Sequence, residues 1–351
     1  MNVAFPSGCF RPGLRLLCVG ALLLGFVAAP SFLHAGVVFG LPTANQAIYE
    51  PDGGERYFVG TVGKPWQTGT FGCVRSDGWK IHEGLDVRCL QRDRRGEPLD
   101  PVLAAAPGTV VYINSHSGLS NYGNYIVLRH LIEGLEVYSL YAHLHHAREG
   151  LHLGMSVQAG EVIATMGRTT NTREGISRDR AHVHFELDLL TNDRYAEWHR
   201  KNLADQRNDH GDWNGFNLNG LDPRRVLLEQ HRLGAQFSLV NCIRSSPELC
   251  RVQVRATNFP YLRRCPALVR RNPLAERDGV AGYEIALDFN AVAFDLIPRS
   301  AAELRGTGKF TLLSVNEVEQ SRNPARRLVT KKGASWELTK HGLNALDLLT
   351  F

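Results

Sequence analysis

Two histidines, His182 and His184, sit in the stretch Arg180-Ala181-His182-Val183-His184-Phe185-Glu186-Leu187. Aromatic and branched residues alternate there with polar ones, which is the period of a β-strand. Residues two apart on a strand share a face, so the imidazoles lie side by side and Val183 and Phe185 are left for packing. Two imidazoles on one strand face suit a transition metal. Upstream, His82 and Asp86 lie four apart in Trp79-Lys80-Ile81-His82-Glu83-Gly84-Leu85-Asp86-Val87. They share a strand face or converge across a turn at Gly84.

By itself that pair reads as a surface hydrogen bond. Joined by one histidine of the downstream pair, it becomes two imidazoles and a carboxylate, a three-ligand set suited to zinc. Such a site keeps a fourth position for water, lowers the pKa of that water to ~7 and polarises a carbonyl, which is the chemistry of hydrolysis. The spacing leaves open which of His182 and His184 is the ligand. The other one, and His143 in Tyr141-Ala142-His143-Leu144, are imidazoles available beside the metal to position a water or stabilise an oxyanion. Glu83 lies between two candidate ligands, but no second histidine follows His82 at helical spacing, so the helical zinc motif is absent. His130, in a strand pattern, reads as structural, and His145 and His146 as solvated loop residues.

The elements that must position these groups are short strands with glycine at the turns. Gly108–Asn114, Asn124–Leu131, Glu136–Leu144, Val162–Met166 and His182–Leu190 read as strands, with a turn at Glu133-Gly134, and together they argue for an antiparallel sheet or small barrel. A helix is expected over 193–203. Asp222 as N-cap and Pro223 at the first helical position begin another, over 224–232. Beyond it, Arg251–Ala256, Tyr283–Phe289, Lys309–Val315 and a hairpin around Lys332-Gly333 give a second β-rich region with no motif attached to chemistry. The expected organisation is a leader over 1–35, a lead-in over 36–70, a catalytic domain over 71–232 and a C-terminal domain over 233–351.

From about Gly78 to Leu228 the chain resembles the lysostaphin-type zinc metallopeptidases, which cut peptide bonds in bacterial peptidoglycan. His82-Glu83-Gly84-Leu85-Asp86, Tyr141-Ala142-His143-Leu144 and His182-Val183-His184-Phe185-Glu186 stand where that family has its three motifs, in order. The resemblance implies a mainly β fold, with an antiparallel catalytic sheet of the duplicated-hybrid-motif kind. It implies one zinc held by His82, Asp86 and His184, with His143 and His182 as catalytic imidazoles and peptidoglycan as substrate. One departure is the stretch Thr169–Arg180, longer than the family's usual loop and carrying Arg173, Arg178 and Arg180. Two other readings are a non-hydrolytic regulator of wall hydrolases and a secreted protease acting on ordinary proteins.

Composition fits a folded protein outside the cytoplasm. Hydrophobic residues make up 43% of the chain and charged ones 21%, an ordinary balance for a globular fold. Arg11 and Arg15 precede the apolar run Leu16–Ala29, and Leu33-His34-Ala35 offers a cleavage site. That pattern is a secretory signal, too short to span a membrane comfortably; the alternative is an uncleaved anchor. Its removal takes two arginines and no acid from a formal charge of +5, leaving too little positive charge to argue for nucleic acid. Cys73, Cys89, Cys242, Cys250 and Cys265 would remain. In an oxidising compartment a Cys73–Cys89 disulfide is expected, with a second pair among the last three.

Overall fold

The computed structural model describes residues 38–351. The expected signal segment, with Cys9 and Cys18, lies outside the described residues. β1 (Gly72–Arg75) and β2 (Lys80–His82) form a hairpin, and β3 (Leu85–Arg88) follows. After β4 (Pro101–Leu103) comes a meander of β5 (Gly108–Asn114), β6 (Asn124–Ile132) and β7 (Leu135–Leu144). β6 and β7 are joined by the two-residue turn Glu133-Gly134, both in the left-handed region (φ 50° and 75°), whose twist matches that of the strands it connects.

β8 (His146–Ala147), β9 (Ser156–Val157) and β10 (Val162–Thr165) are short. β11 (His182–Leu190) and β12 (Leu218–Leu221) complete the first sheet. Its order is β12-β11-β7-β6-β5-β9, with β3 also paired to β11, while β4-β10-β8 make a small separate sheet.

All nine residues of β11 are buried. Val183, Phe185, Leu187 and Leu189 enter the main core with Ile126, Leu128 and Val137. On the opposite face a smaller cluster of Tyr122, Tyr125, Val127, Tyr138 and Leu140 covers the sheet. A strand buried on both faces is the stiffest place in a sheet to mount side chains, and β11 carries the histidine pair.

The helix Pro223–Leu233 is capped by Asp222, whose side chain accepts from Arg224 N and Arg225 N. β13 (Cys250–Val254), β14 (Gly282–Leu287), β15 (Ala293–Arg299) and β16 (Phe310–Val315) form a second antiparallel sheet, in the order β15-β14-β13-β16. The hairpin of β17 (Val329–Lys332) and β18 (Ser335–Leu338) and the helix Lys340–Leu349 follow. Val252, Ile285 and Leu296 of the second sheet belong to the same apolar core as β11. The molecule is thus mainly β, with antiparallel ladders between its strands.

One expectation is corrected. All five cysteines among the described residues are free thiols, so neither the Cys73–Cys89 bridge nor a pair among Cys242, Cys250 and Cys265 is formed. Cys89 directly follows β3, and its thiol donates to Asp100 Oδ2 at 3.0 Å. Cys73 lies in β1 and borders a cavity with Asp288 and Glu319. The two thiols serve different surroundings, and burial raises the pKa of each.

Candidate metal centre

The register between β3 and β11 sets Asp86 directly opposite His184. His82 ends β2, and the chain returns through Gly84, where a Cβ would stand 2.4 Å from the Phe185 carbonyl oxygen. Only glycine allows that approach, and it folds His82 over the Asp86–His184 pair. Three atoms converge: His82 Nε2, Asp86 Oδ1 and His184 Nδ1, each 3.0 Å from the other two. All three residues are buried.

The partners on the far side of each group show what the convergent atoms carry. His82 Nδ1 is 2.8 Å from Thr70 O, a carbonyl that can only accept, so Nδ1 holds the proton and Nε2 presents a lone pair. His184 Nε2 is 2.6 Å from Glu186 Oε1, which likewise turns a lone pair on Nδ1 inward. Asp86 adds a carboxylate oxygen, while Arg75 Nη2 binds its Oδ2 at 2.5 Å. Three acceptors this close repel one another unless a cation lies among them.

A proton is one such cation. Burial alone would lower the His184 pKa, but its bonds to Asp86 and Glu186 raise it to about 9. Burial takes His82 down to about 4. For Asp86, burial pushes upward, and His82, His182 and Arg75 together outweigh it and hold the carboxyl well below its usual range. A metal ion is the other candidate. Ligands on a tetrahedral zinc at about 2.0–2.1 Å stand about 3.3 Å apart, close to the observed triangle, and two imidazole nitrogens with one carboxylate oxygen are zinc donors. The residues present fit the ion.

Two more imidazoles stand beside the triangle. His182 Nδ1 donates to Arg180 O at 2.7 Å, and its Nε2 is 3.4 Å from Asp86 Oδ1. His143, near the end of β7, has φ 60°, a costly backbone conformation for a non-glycine residue, and its N–H donates to Tyr122 O. Its Nδ1 donates to Thr169 O at 2.9 Å, and its ring meets that of His182 edge-on with centroids 4.9 Å apart. Burial, then the neighbouring His182 and His184, keeps the His143 pKa well below its usual value, so the ring is neutral at pH 7.

Beneath the triangle, Glu186 Oε1 also accepts from the Tyr122 hydroxyl at 3.0 Å. Asp188, next on that face of β11, is pushed well above the usual carboxyl range by burial, Glu186 and Glu83. Glu83 pairs with Arg326, which also donates to Asn290 Oδ1 at 2.7 Å. The triangle, His143, His182, Glu83 and Glu186 line a cleft of about 590 Å³ walled by Thr61–Thr68, the β1–β2 hairpin and the loop 170–180.

Sequence spacing points to His82, Asp86, His143, His182 and His184, and the structure brings all five to this cleft. His130 lies elsewhere, buried between Pro107 O and Ser139 Oγ, and His145 and His146 are exposed. Sequence reading missed the supports Thr70, Arg75, Tyr122 and Arg326. It also gave Glu186 no role, although the period of β11 puts Glu186 on the face of His182 and His184.

Residues 80–196 match peptidase family M23. That match covers about a third of the chain. Over 107 residues it is 33% identical to a lipoprotein NlpD/LppB homolog of Pseudomonas aeruginosa, covering 30% of this chain and 29% of that protein. The match therefore spans under a third of the relative's length. Among solved structures, a zinc-containing peptidase from Vibrio cholerae aligns with 25% identity over 30% of this chain and 26% of its own, at a TM-score of 0.23. The catalytic domain of lysostaphin from Staphylococcus simulans aligns with 25% identity over 34% of this chain and 74% of its own, also at 0.23.

Proposed function

We propose that the protein is a zinc-dependent endopeptidase that cuts peptide cross-links of peptidoglycan at the cell envelope or outside the cell. The observation that carries this reading is the convergence of three buried acceptors at 3.0 Å, next to two further imidazoles, in an open cleft. His82, Asp86 and His184 would hold the zinc. Bound there, zinc supplies Lewis acidity, which polarises a peptide carbonyl and lowers the pKa of water to ~7.

The chain's own residues do the rest. Thr70 O, Glu186 and Arg75 fix the orientation and tautomer of the three ligands, so no reorganisation is needed when substrate arrives. His143 and His182 each spend Nδ1–H on a backbone carbonyl, which leaves Nε2 as the atom that can take a proton. One of these nitrogens accepts the proton of the attacking water and delivers it to the leaving amine. The other, when protonated, donates to the oxyanion that develops on the carbonyl.

The rival reading is a regulator that keeps the metal site and performs no hydrolysis. Zinc content does not separate the two. Incubation with purified peptidoglycan does: the peptidase reading expects new amines that appear with time, stop on chelation and return with zinc. Stoichiometric zinc without any amine release would favour the regulator. Release of amines from casein but not from wall would favour a general protease.

A further inference from the structure

The three arginines of the loop before β11 meet different fates. Arg178 Nε donates to Glu97 Oε1 at 2.7 Å, and Arg168 holds the same carboxylate at 2.8 Å. Arg173 is exposed and does not line the cleft. Arg180 is half-buried and lines the cleft two residues before His182. Its Nε donates to Gly60 O at 3.1 Å. Among the described residues no carboxylate pairs with its guanidinium, so both Nη groups are free of protein partners.

The other charges of the cleft have neighbours or lie at its rim. Arg75 is held by Asp86, and Lys64 lies 3.7 Å from Asp77. Glu83 is held by Arg326, and Glu186 by His184 and Tyr122. Lys80 and Glu174 are exposed and opposite in sign. What remains in the cleft is the edge of a planar guanidinium, half-desolvated and anchored at Nε. That edge matches the two oxygens of a carboxylate better than any neutral group.

We propose that Arg180 selects cross-link peptides that carry a free carboxylate on a residue flanking the scissile bond. This inference rests on the peptidase reading above. It makes neutral or amidated cross-links poor substrates, and it gives the long arginine-bearing loop a role in recognition.

The test uses the full-length protein and pairs of synthetic cross-link peptides, each pair identical except for a free carboxylate or its carboxamide beside the scissile bond. For the wild type, kcat/KM should favour the carboxylate member of one pair by roughly 10- to 100-fold, the range for a hydrogen-bonded charge. Arg180→Gln should remove most of that preference through KM while retaining zinc. Arg180→Lys should keep part of it, because an ammonium attracts a carboxylate without forming the fork. Arg173→Gln, in the same loop but outside the cleft, should keep all of it. Equal cleavage of both members by the wild type, or an undiminished preference in Arg180→Gln, overturns the assignment and leaves the peptidase reading standing. Failure to hydrolyse any peptide or purified wall overturns both.

Discussion

The two sheets both carry rows of charged residues, and they handle them in opposite ways. On the outer face of the second sheet, cations and anions alternate. Arg251 pairs with Glu248 at 2.5 Å and Glu284 at 3.2 Å, and Arg299 pairs with Glu284 at 2.6 Å and Glu303 at 2.9 Å. On β11 the row is His182, His184, Glu186 and Asp188, all buried, and from it His184 turns an acceptor toward the acceptors of His82 and Asp86. The second sheet's row is complete in itself. The row on β11 is completed only by a cation, either a proton shared within the row or a metal held between strands. Charge on a strand marks a site when the groups brought together cannot satisfy each other.

The largest effect should come from breaking the acceptor triangle. His82→Ala, Asp86→Ala or His184→Ala should each lower zinc occupancy and take wall hydrolysis below detection, as read by elemental analysis and amine release. A variant at any of these positions that kept both would remove it from the ligand set. Next, His143→Ala should keep its zinc and fold but lose roughly 10²–10⁴ in rate, the range for a positioned acid–base group. Near wild-type turnover would make His143 a packing residue.

The contrast between the sheets was only partly legible in the sequence. Period-two alternation located β11 at its observed bounds, and Asp222-Pro223 located the start of its helix, because strand alternation and helix capping are local. Strand β15 was invisible: Pro298 argues against a strand, yet β15 is an edge strand where a missing N–H is tolerated. The choice between His182 and His184 needs the register of β3 on β11, and no residue pattern carries that register. The partners of the site were hidden for a related reason. Thr70 contributes a backbone carbonyl, and Arg326 reaches Glu83 from the far end of the chain. The disulfides were inferred from compartment alone, which says nothing about where two thiols point.

Within the second sheet, smaller effects should separate paired from unpaired carboxyls. Asp288, after β14, is buried and accepts from Asn290 N and Val292 N, and burial raises its pKa to about 7. A carboxyl raised on folding favours the native state fully below its unfolded pKa and loses that contribution as pH climbs to about 7. Stability should therefore fall by up to a few kcal/mol between about pH 4 and 7. Asp288→Asn, which keeps the acceptor, should flatten that part of the curve in denaturant titrations. An unchanged slope would exclude Asp288 as its source. Smallest of all, Arg299→Met should cost about 1 kcal/mol or less, since Glu284 keeps Arg251 and the pair is partly solvated. Zinc content and hydrolysis should not change, and a loss of either would mean that the second sheet is coupled to the site.

The most direct test is to strip the protein with a chelator and follow wall hydrolysis as zinc is added back. The triangle of His82 Nε2, Asp86 Oδ1 and His184 Nδ1 predicts no activity at the start, a linear rise, and saturation at one zinc per chain. Stripped protein that hydrolyses wall at the full rate, or reloaded protein that binds one zinc and releases no amines, would contradict the account.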